Sequence, residues 1–213
     1  MAVTFYYGSG SPYAWRVWLA LEHKAIPYEF KLLSFSEGDT RKPDFTALNP
    51  RQKVPVIVDD GFVLYESLAI LEYLEDRWPD RPRLYSTDAR ERAVQRRLML
   101  EADDYLSSTM DKVIQAILSP PKGEDAADIV AEGTTALQAE LARWNTLVGG
   151  DYLVGALSAA DFTLYPRLAL IPRFAKRKPD AVPADLIGPK LQAWMVRMEK
   201  LPVVQKTWPP HWK

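Results

Sequence analysis

Residues 8–21 read GSGSPYAWRVWLAL, a Gly-Ser loop that ends at a proline and runs into an apolar stretch. The preceding residues 2–7, AVTFYY, are rich in β-branched and aromatic side chains, which favour a short strand. After the proline, Ala14, Val17 and Leu21 share one stripe at helical spacing. The chain is therefore predicted to begin with a strand, a tight turn and a helix.

Three roles are open for the Gly-Ser loop: a phosphate-binding loop, the seat of an activated hydroxyl, or a turn that lets a helix begin. A dinucleotide-binding loop needs a third glycine where this chain has Tyr13, and a P-loop needs a Gly-Lys-Ser/Thr ending that is missing. Ser11 instead matches a helix N-cap, with Pro12 in the first helical position. A capping serine keeps its proton to donate elsewhere, and the helix start attracts anions, so the turn also suits a bound thiolate.

The composition is that of an ordinary globular protein, with 213 residues of which 47% are hydrophobic and 26% charged. The 27 basic and 28 acidic side chains leave a net charge of −1, which argues against a nucleic-acid partner. No apolar run reaches the roughly 20 residues that span a bilayer, and the N-terminus lacks the features of a signal peptide. We therefore expect no membrane association and a cytoplasmic location.

The sequence contains no cysteine, which excludes disulfides, thiolate metal sites and redox chemistry by a thiol of the chain itself. Only His23 and His211 are present to supply imidazole to a metal site or a catalytic triad, so we predict neither. Any thiolate bound at the Gly-Ser loop has to come from a ligand.

Beyond the first helix, the sequence predicts the rest of a small α/β domain. Residues 25–30 (AIPYEF) form a second predicted strand, and a polar loop follows. Residues 54–66 (VPVIVDDGFVLYE) alternate like a hairpin, with Asp60 and Gly61 at the turn. A strongly periodic helix then covers residues 67–78, and a proline closes it.

The remainder of the chain is predicted to be helical. Residues 79–88 (PDRPRLYSTD) are rich in proline and charge, which is typical of a connector. Helical periodicity then recurs over residues 88–118, 126–147, 158–172 and 186–200. The predicted organisation is an α/β domain at 1–79, a linker at 80–87 and an all-helical domain at 88–213.

Four stretches resemble the ordered landmarks of the cytosolic glutathione transferases. They are SPYAWRVWLAL (11–21), NPRQKVPVI (49–57), YESLAILEYLEDRW (65–78) and SAADFTLYP (158–166). The first is similar to the serine-type classes, most closely the tau-like pattern, with theta and zeta enzymes further off. The resemblance implies a thioredoxin-like N-terminal domain with a mixed sheet and a cis-proline, followed by an all-α C-terminal domain that contributes the electrophile site.

The resemblance also implies which residues bind glutathione as the co-substrate. Ser11 matches the serine that donates a hydrogen bond to the glutathione sulfur, lowering the thiol pKa from roughly 8.5. Val54, before the cis-proline Pro55, matches the residue whose backbone N–H and C=O pair with the cysteinyl unit. Glu66 and Ser67 match an acidic-Ser pair that holds the ammonium group and the α-carboxylate of the γ-glutamyl unit.

Other residues complete the predicted glutathione site or compete for a role in it. Lys53 matches the position that meets the glycyl carboxylate, and Arg41 in the preceding loop is a second candidate. The hydroxyls of Tyr6, Tyr7 and Ser9 are alternatives for the contact with sulfur, because tyrosine-type transferases carry their catalytic phenol near the end of the first strand. Plain packing in the strand is the competing interpretation for the two tyrosines.

The electrophile pocket is expected between the two domains. Its predicted lining consists of Pro12, Tyr13, Phe35, Tyr105, Thr109 and Trp208. The C-terminal tail, which also carries Trp212, is expected to close the pocket. Packing is the competing interpretation for each of these residues, since aromatic side chains at helical spacing usually belong to a core.

The predicted function is that of a glutathione transferase, which activates the thiol of glutathione for attack on small hydrophobic electrophiles, as in detoxification. The alternative is a glutathione-binding protein of the same fold without transferase turnover. The family resemblance also implies a homodimer, with the arginine-rich face of Arg92, Arg96 and Arg97 as a candidate contact, although a solvated charged face is the simpler interpretation of these residues. Ser158 and Asp161 have capping-box spacing and are expected to support folding rather than chemistry.

Overall fold

The computed structural model describes residues 2–118, 126–177 and 186–212, and these residues form two compact units. The first unit comprises Met1–Tyr85 together with Lys200–Lys213, and the second comprises Ser86–Glu199. Across the part of the chain that is described, no helix combines the length and the apolar character needed to cross a membrane.

The first unit is built on a four-stranded sheet. Its elements begin with β1 (Val3–Gly8), α1 (Pro12–His23), β2 (Tyr28–Leu33), α2 (Pro43–Leu48), β3 (Val56–Asp59), β4 (Phe62–Tyr65) and α3 (Ser67–Arg77). The strand order is β2-β1-β3-β4, with β1 parallel to β2 and β3 antiparallel to both β1 and β4. This mixed sheet is the thioredoxin-like arrangement that the family resemblance implies, and the Val54–Pro55 peptide is cis, as the resemblance also implies.

Strand β1 forms the centre of the first unit because its alternate side chains are buried against α1. Val3, Phe5 and Tyr7 have no exposed surface, and the ring of Tyr7 meets that of Trp18 on α1 with centroids 5.1 Å apart. Tyr6 points to the other face, where its ring lies 5.9 Å from Phe45 of α2. The period-two alternation of a strand thus sends the two neighbouring tyrosines into different environments.

The loops of the first unit follow the turn signals only in part. The β3–β4 hairpin turns at Asp60 and Gly61 as predicted, with φ values of 49° and 83° that match a type I′ turn. Helix α2 lies where the sequence predicts only a polar loop. Phe45 is its buried residue, so this six-residue helix carries no periodic apolar stripe that would reveal it.

The second unit is helical, as expected. Its elements are α4 (Ala89–Glu101), a π-helical stretch (Ala102–Leu106), α5 (Ser107–Leu118), α6 (Ala126–Leu147), α7 (Ala159–Leu168), α8 (Ile171–Arg177) and α9 (Pro189–Glu199). The predicted helix at 158–172 is therefore divided, since α7 ends at Leu168 and α8 begins at Ile171.

Helix α7 is the buried centre of the second unit, and its start is fixed by the predicted capping box. Asp161 has no exposed surface and accepts hydrogen bonds from the N–H and Oγ–H of Ser158 at 3.0 and 3.1 Å. The same carboxylate accepts from the N–H of Leu153 and from the indole of Trp194, both at 3.0 Å. One buried side chain therefore connects the preceding loop, α7 and α9.

The C-terminal segment packs on the first unit rather than with the helical one. It contains α10 (Pro202–Lys206) and a single 3₁₀ turn, Pro210–Trp212. The indole of Trp15 on α1 donates to Oγ1 of Thr207 at 2.9 Å, and its ring meets those of Trp208 and Trp212 with centroids 5.6 and 5.3 Å away. The compact units thus differ here from the predicted domains, because helical periodicity does not say which core a helix joins.

Helix α1, which carries Ser11 at its start, is also fixed at its other end. The ammonium group of Lys24 is buried and donates to a carboxylate oxygen of Glu75 on α3 at 2.9 Å and to the C=O of Pro82 at 3.1 Å. A buried cation needs such partners, since an unpaired one is strongly destabilising. The position of α1 is therefore set by contacts with α3, the segment after it and the C-terminal tail.

Candidate functional site

Ser11 lies at the junction of a closed turn and a helix. Its N–H donates to the C=O of Gly8 at 3.1 Å, and Gly10 between them has φ of 87°, as a type II turn requires at its third residue. Ser11 caps α1 as predicted, with Oγ accepting from the N–H of Ala14 at 3.3 Å. The side chain is half-buried, and capping uses its lone pair rather than its proton.

The side chain of Tyr7 packs beneath the 8–11 turn, on its buried side, and supports it. Its hydroxyl accepts from the N–H of Gly10 at 3.3 Å and is hydrogen-bonded to Ser9. Its ring packs between Trp18 and Phe30, and burial raises the pKa of the phenol above its ordinary value. The Tyr7 phenol is therefore held protonated in the interior, as a residue that shapes the turn.

The loop before the cis peptide is organised by an asparagine that the sequence analysis did not single out. Asn49 is buried, donates from Nδ2 to the C=O of Lys53 at 2.7 Å and accepts at Oδ1 from the N–H of Arg51 at 3.0 Å. The Asn-Pro pair at this point is a turn signal that would have found it. Among the described residues, none forms a backbone hydrogen bond with Val54, so its N–H and C=O remain open to a ligand.

Glu66 and Ser67 begin α3 in the way that an anion site requires. Ser67 is buried at the first helical position, and Ile70 is the first residue whose N–H bonds back to the C=O of Glu66. The first helical N–H groups therefore have no acceptor within the helix. Glu66 is exposed and has φ of 71° and ψ of 106°, a conformation that costs a non-glycine residue strain energy and is often kept at functional sites.

The strand directions bring these features to one end of the sheet. Strands β1 and β4 both end there, and β3, antiparallel to both, begins there, since Val56 pairs with Tyr6 and with Tyr65. One end of the sheet therefore carries the turn that holds Ser11, the cis peptide after Val54 and the start of α3. Local sequence signals find each feature separately, whereas the strand order places them together.

The predicted contacts for the glycyl carboxylate lie in neighbouring loops of the same unit. Lys53 directly precedes Val54, and Arg41 ends a 3₁₀ turn that spans Asp39–Arg41 after β2. Both side chains are exposed, and neither takes part in an ion pair with any residue that the structure describes. They are free to meet a carboxylate.

The predicted electrophile residues divide between the two units. Pro12 and Tyr13 are half-buried at the start of α1, and the exposed ring of Phe35 lies against Gly8, where an added Cβ would press into it. Trp208 packs against Trp15, as described above. In the second unit, Tyr105 is exposed on the π-helical stretch and Thr109 is half-buried on α5. A shared pocket for these residues stays a prediction.

Metal ligands do not converge in the residues described. No three His, Asp or Glu side chains within 2–118, 126–177 and 186–212 come close enough to hold an ion. His23 ends α1 and lies 3.1 Å from the C=O of Arg83, and burial lowers its pKa. The side chain of His211 lies outside what the structure describes.

Comparison with known proteins assigns the family. The model of the glutathione S-transferase N-terminal domain matches residues 10–77. Glutathione S-transferase A of Pleuronectes platessa is 30% identical over 216 residues, which cover 99% of this chain and 92% of that protein. The chain belongs to the glutathione S-transferase family. The predicted family, two-part fold and enzyme class are thereby confirmed.

Two further relatives of this transferase are informative. The crystal structure of a glutathione S-transferase from the Antarctic clam Laternula elliptica superimposes with a TM-score of 0.86 at 30% identity, covering 100% of this chain and 94% of that chain. A probable maleylacetoacetate isomerase of Caenorhabditis elegans is 34% identical over 166 residues, or 76% of this chain and 75% of that protein. The class of this transferase within the family stays a prediction.

Proposed function

We propose that this glutathione transferase uses the Ser11 hydroxyl to stabilise the thiolate of glutathione for attack on small hydrophobic electrophiles. The observation that carries the proposal is the hydrogen bonding of Ser11, whose Oγ accepts from the start of α1 and keeps its proton for a ligand. A sulfur placed there would accept that proton and face the positive end of the helix.

The hydrogen bond from Ser11 and the start of α1 can supply the free energy needed to lower the pKa of the glutathione thiol. A free thiol with a pKa near 8.5 is only about 3% thiolate at pH 7. Lowering that pKa by two units raises the thiolate to about three quarters and requires about 2.7 kcal/mol. A hydrogen bond to a charged group supplies about 1.5–3 kcal/mol, and a helix N-terminus adds about 0.3–1 kcal/mol. Ser11 and α1 together therefore suffice without a general base.

The remaining contacts hold the tripeptide so that its sulfur meets Ser11. The open backbone groups of Val54 pair with the cysteinyl unit, and Ser67 at the start of α3 receives the γ-glutamyl carboxylate. Glu66 pairs with the ammonium group, and Lys53 or Arg41 meets the glycyl carboxylate at the other end. Fixing both ends of the tripeptide converts the attack of its thiolate into an oriented reaction, which lowers the entropic cost.

The assembly and location of the enzyme belong to the same proposal. A cytoplasmic homodimer is proposed, with Arg92, Arg96 and Arg97 of α4 at the candidate contact. Arg92 also donates to the C=O of Ser86 at 3.3 Å, and Arg97 pairs with Glu101 at 3.6 Å, so part of this charge is already engaged within the chain.

A second candidate reaction uses the same thiolate. The similarity to a maleylacetoacetate isomerase favours a glutathione-dependent cis-trans isomerisation. The thiolate would add to the cis double bond, rotation would follow about the resulting single bond, and elimination would release the trans product with glutathione regenerated. Ser11 would serve both reactions, because each begins with the thiolate.

Retention on immobilised glutathione and turnover of a substrate panel test the proposed function. The panel contains aryl halides, epoxides, hydroperoxides and maleylacetoacetate. We expect retention together with turnover of at least one substrate. Retention without any turnover would favour the alternative of a glutathione-binding protein, and the absence of both would contradict the two proposals together.

Replacing Tyr7 by Phe tests whether the phenol acts on sulfur or supports the turn. The Tyr7→Phe change keeps the ring packing and removes the hydroxyl, which accepts from the N–H of Gly10 and is hydrogen-bonded to Ser9. We expect a loss of about 1 kcal/mol in the free energy of unfolding, with the pKa of bound glutathione nearly unchanged. The measurement is thiolate absorbance against pH. A pKa increase of a full unit or more would transfer the catalytic role to Tyr7.

The strained backbone of Glu66 gives a prediction with a matched control. Because φ is positive, Glu66→Gly should leave the free energy of unfolding unchanged or raise it by about 1 kcal/mol, while the KM for glutathione rises as the carboxylate is lost. Asp60→Gly, in the hairpin turn with φ of 49°, should give the same gain without changing KM. Thermal unfolding and steady-state kinetics measure the two effects, and an unchanged KM in Glu66→Gly would remove Glu66 from the site.

A further inference from the structure

Gly8 is the last residue of β1, and its missing side chain makes room for the ring of Phe35. A Cβ added at Gly8 would lie 2.8 and 3.0 Å from the two Cε atoms of Phe35 and closer still to Cζ, so the ring would have to move. The backbone of Gly8 is that of a strand, with no positive φ. Glycine is therefore needed here for the close approach of the ring and not for backbone conformation.

A closed turn after β2 carries Phe35 to this position. Leu33, the last residue of β2, pairs with Gly8, and Phe35 follows two residues later. Asp39 accepts at Oδ2 from the N–H of Ser34 at 2.8 Å, and its own N–H donates to the C=O of Ser34 at 3.1 Å. These two hydrogen bonds join the ends of the turn, so they limit where the ring of Phe35 is able to lie.

The ring of Phe35 lies close to Ser11 and is open to a ligand. The three atoms nearest to the added Cβ are Cζ and the two Cε atoms, so the tip of the ring meets Gly8. The residue is 52% exposed, which leaves ring surface uncovered. The C=O of Gly8 accepts from the N–H of Ser11 at 3.1 Å, and the Cα atoms at the two ends of such a turn lie within about 7 Å of each other. The ring and the Ser11 hydroxyl therefore flank the same turn.

We infer that Gly8 determines the electrophile preference of this enzyme, because it lets Phe35 present its ring beside the thiolate that Ser11 holds. This inference rests on the proposed function of Ser11. An aromatic ring stacks on a planar aromatic group, whereas a small alkyl group offers it little contact. With an aryl halide, the thiolate sulfur forms a bond to the ring carbon that bears the halogen, and the halide leaves with the electrons of the broken bond. The thiol proton has passed to solvent when the thiolate forms. Phe35 thus favours aryl halides over alkyl halides.

Binding of glutathione conjugates to the full chain tests this inference without requiring turnover. Calorimetry compares S-(dinitrophenyl)glutathione, which carries an aryl group on sulfur, with S-methylglutathione and glutathione. Gly8→Ala displaces the ring of Phe35, and Phe35→Ala removes it. Each variant should bind the dinitrophenyl conjugate about five- to tenfold more weakly, while its affinity for the other two ligands changes less than about twofold. In the Phe35→Ala background, Gly8→Ala should have no further effect, because the added Cβ then meets no ring.

Phe62→Ala is the matched control, and thermal unfolding of each variant checks the fold. Phe62 is 49% exposed and begins β4, at the end of the sheet away from Ser11, so its loss should change none of the three affinities. An unchanged affinity for the dinitrophenyl conjugate, equal losses for all three ligands, or an effect of Gly8→Ala that persists without Phe35 would each overturn the inference alone. A wild-type chain that does not bind glutathione would contradict the proposed function, and the inference with it.

Discussion

The Ser11→Ala variant is expected to raise the pKa of glutathione bound to the enzyme by about 1–2 units, because it removes a hydrogen bond to a charged sulfur. At pH 6.5 the rate of conjugation should fall about 5–50-fold, in line with the lower thiolate fraction. Above pH 9 most of this deficit should disappear, since the thiolate then forms without help and a thiolate of higher pKa is the stronger nucleophile. Thiolate absorbance and the pH profile of kcat/KM measure the two effects.

The same variant also loses a helix cap, so its stability effect needs a control. Loss of the bond between Ser11 Oγ and the N–H of Ala14 should cost about 1 kcal/mol. Asp88 caps α4 by accepting from the N–H groups of Arg90 and Glu91, both at 2.9 Å. Asp88→Ala should therefore destabilise the protein by a similar amount without changing the thiol pKa.

Ser11→Asp distinguishes the capping role of Ser11 from its catalytic role, because it should keep the helix cap and abolish activity. Aspartate is an equally good N-cap, so stability should be retained, but its charge repels a thiolate and activity should be lost. If Ser11→Ala left the pKa of bound glutathione unchanged, Ser11 would be only a cap, and Ser9 or Tyr6 would be the next hydroxyl to test.

The Asp161→Ala variant is expected to fold poorly, with a loss of about 4–5 kcal/mol or more in the free energy of unfolding. The buried carboxylate accepts four hydrogen bonds, and its removal leaves the donors of Leu153, Ser158 and Trp194 without an acceptor in the core. A loss of this size is comparable to the whole stability of many domains. Soluble yield and thermal unfolding measure the effect.

Two further variants make the Asp161 prediction specific. Asp161→Asn keeps the shape but turns an NH₂ group towards donors, so it should lose less stability than Asp161→Ala while remaining clearly destabilised. Asp104→Ala removes an exposed carboxylate from the same unit and should change the free energy of unfolding by less than about 0.5 kcal/mol. Activity per folded molecule should be retained in all three, because Asp161 supports folding rather than chemistry. Unchanged unfolding of Asp161→Ala would contradict the role assigned to this network.

The features that the sequence predicts correctly are those set by a few neighbouring residues. The Ser11 cap, the Asp60–Gly61 turn and the Asp161 capping box are each confirmed, because each depends on hydrogen bonds between groups at most three residues apart. Helix α2 is not predicted, because its one buried residue gives no helical period to detect. Asn49 is missed because helical and strand periodicity do not mark it, although the Asn-Pro pair at this point is itself a turn signal.

By itself, the sequence determines the local elements, the family resemblance and the kinds of residue available for glutathione. Only the tertiary structure decides that Tyr7 lies buried beneath the turn while Tyr6 faces α2, and that Trp208 joins the first unit through Trp15. It also decides that three features lie at one end of the sheet: the Ser11 turn, the cis peptide after Val54 and the start of α3. The reason is physical: caps and turns are satisfied within a few residues, whereas strand order and the choice of a core depend on contacts between distant parts of the chain.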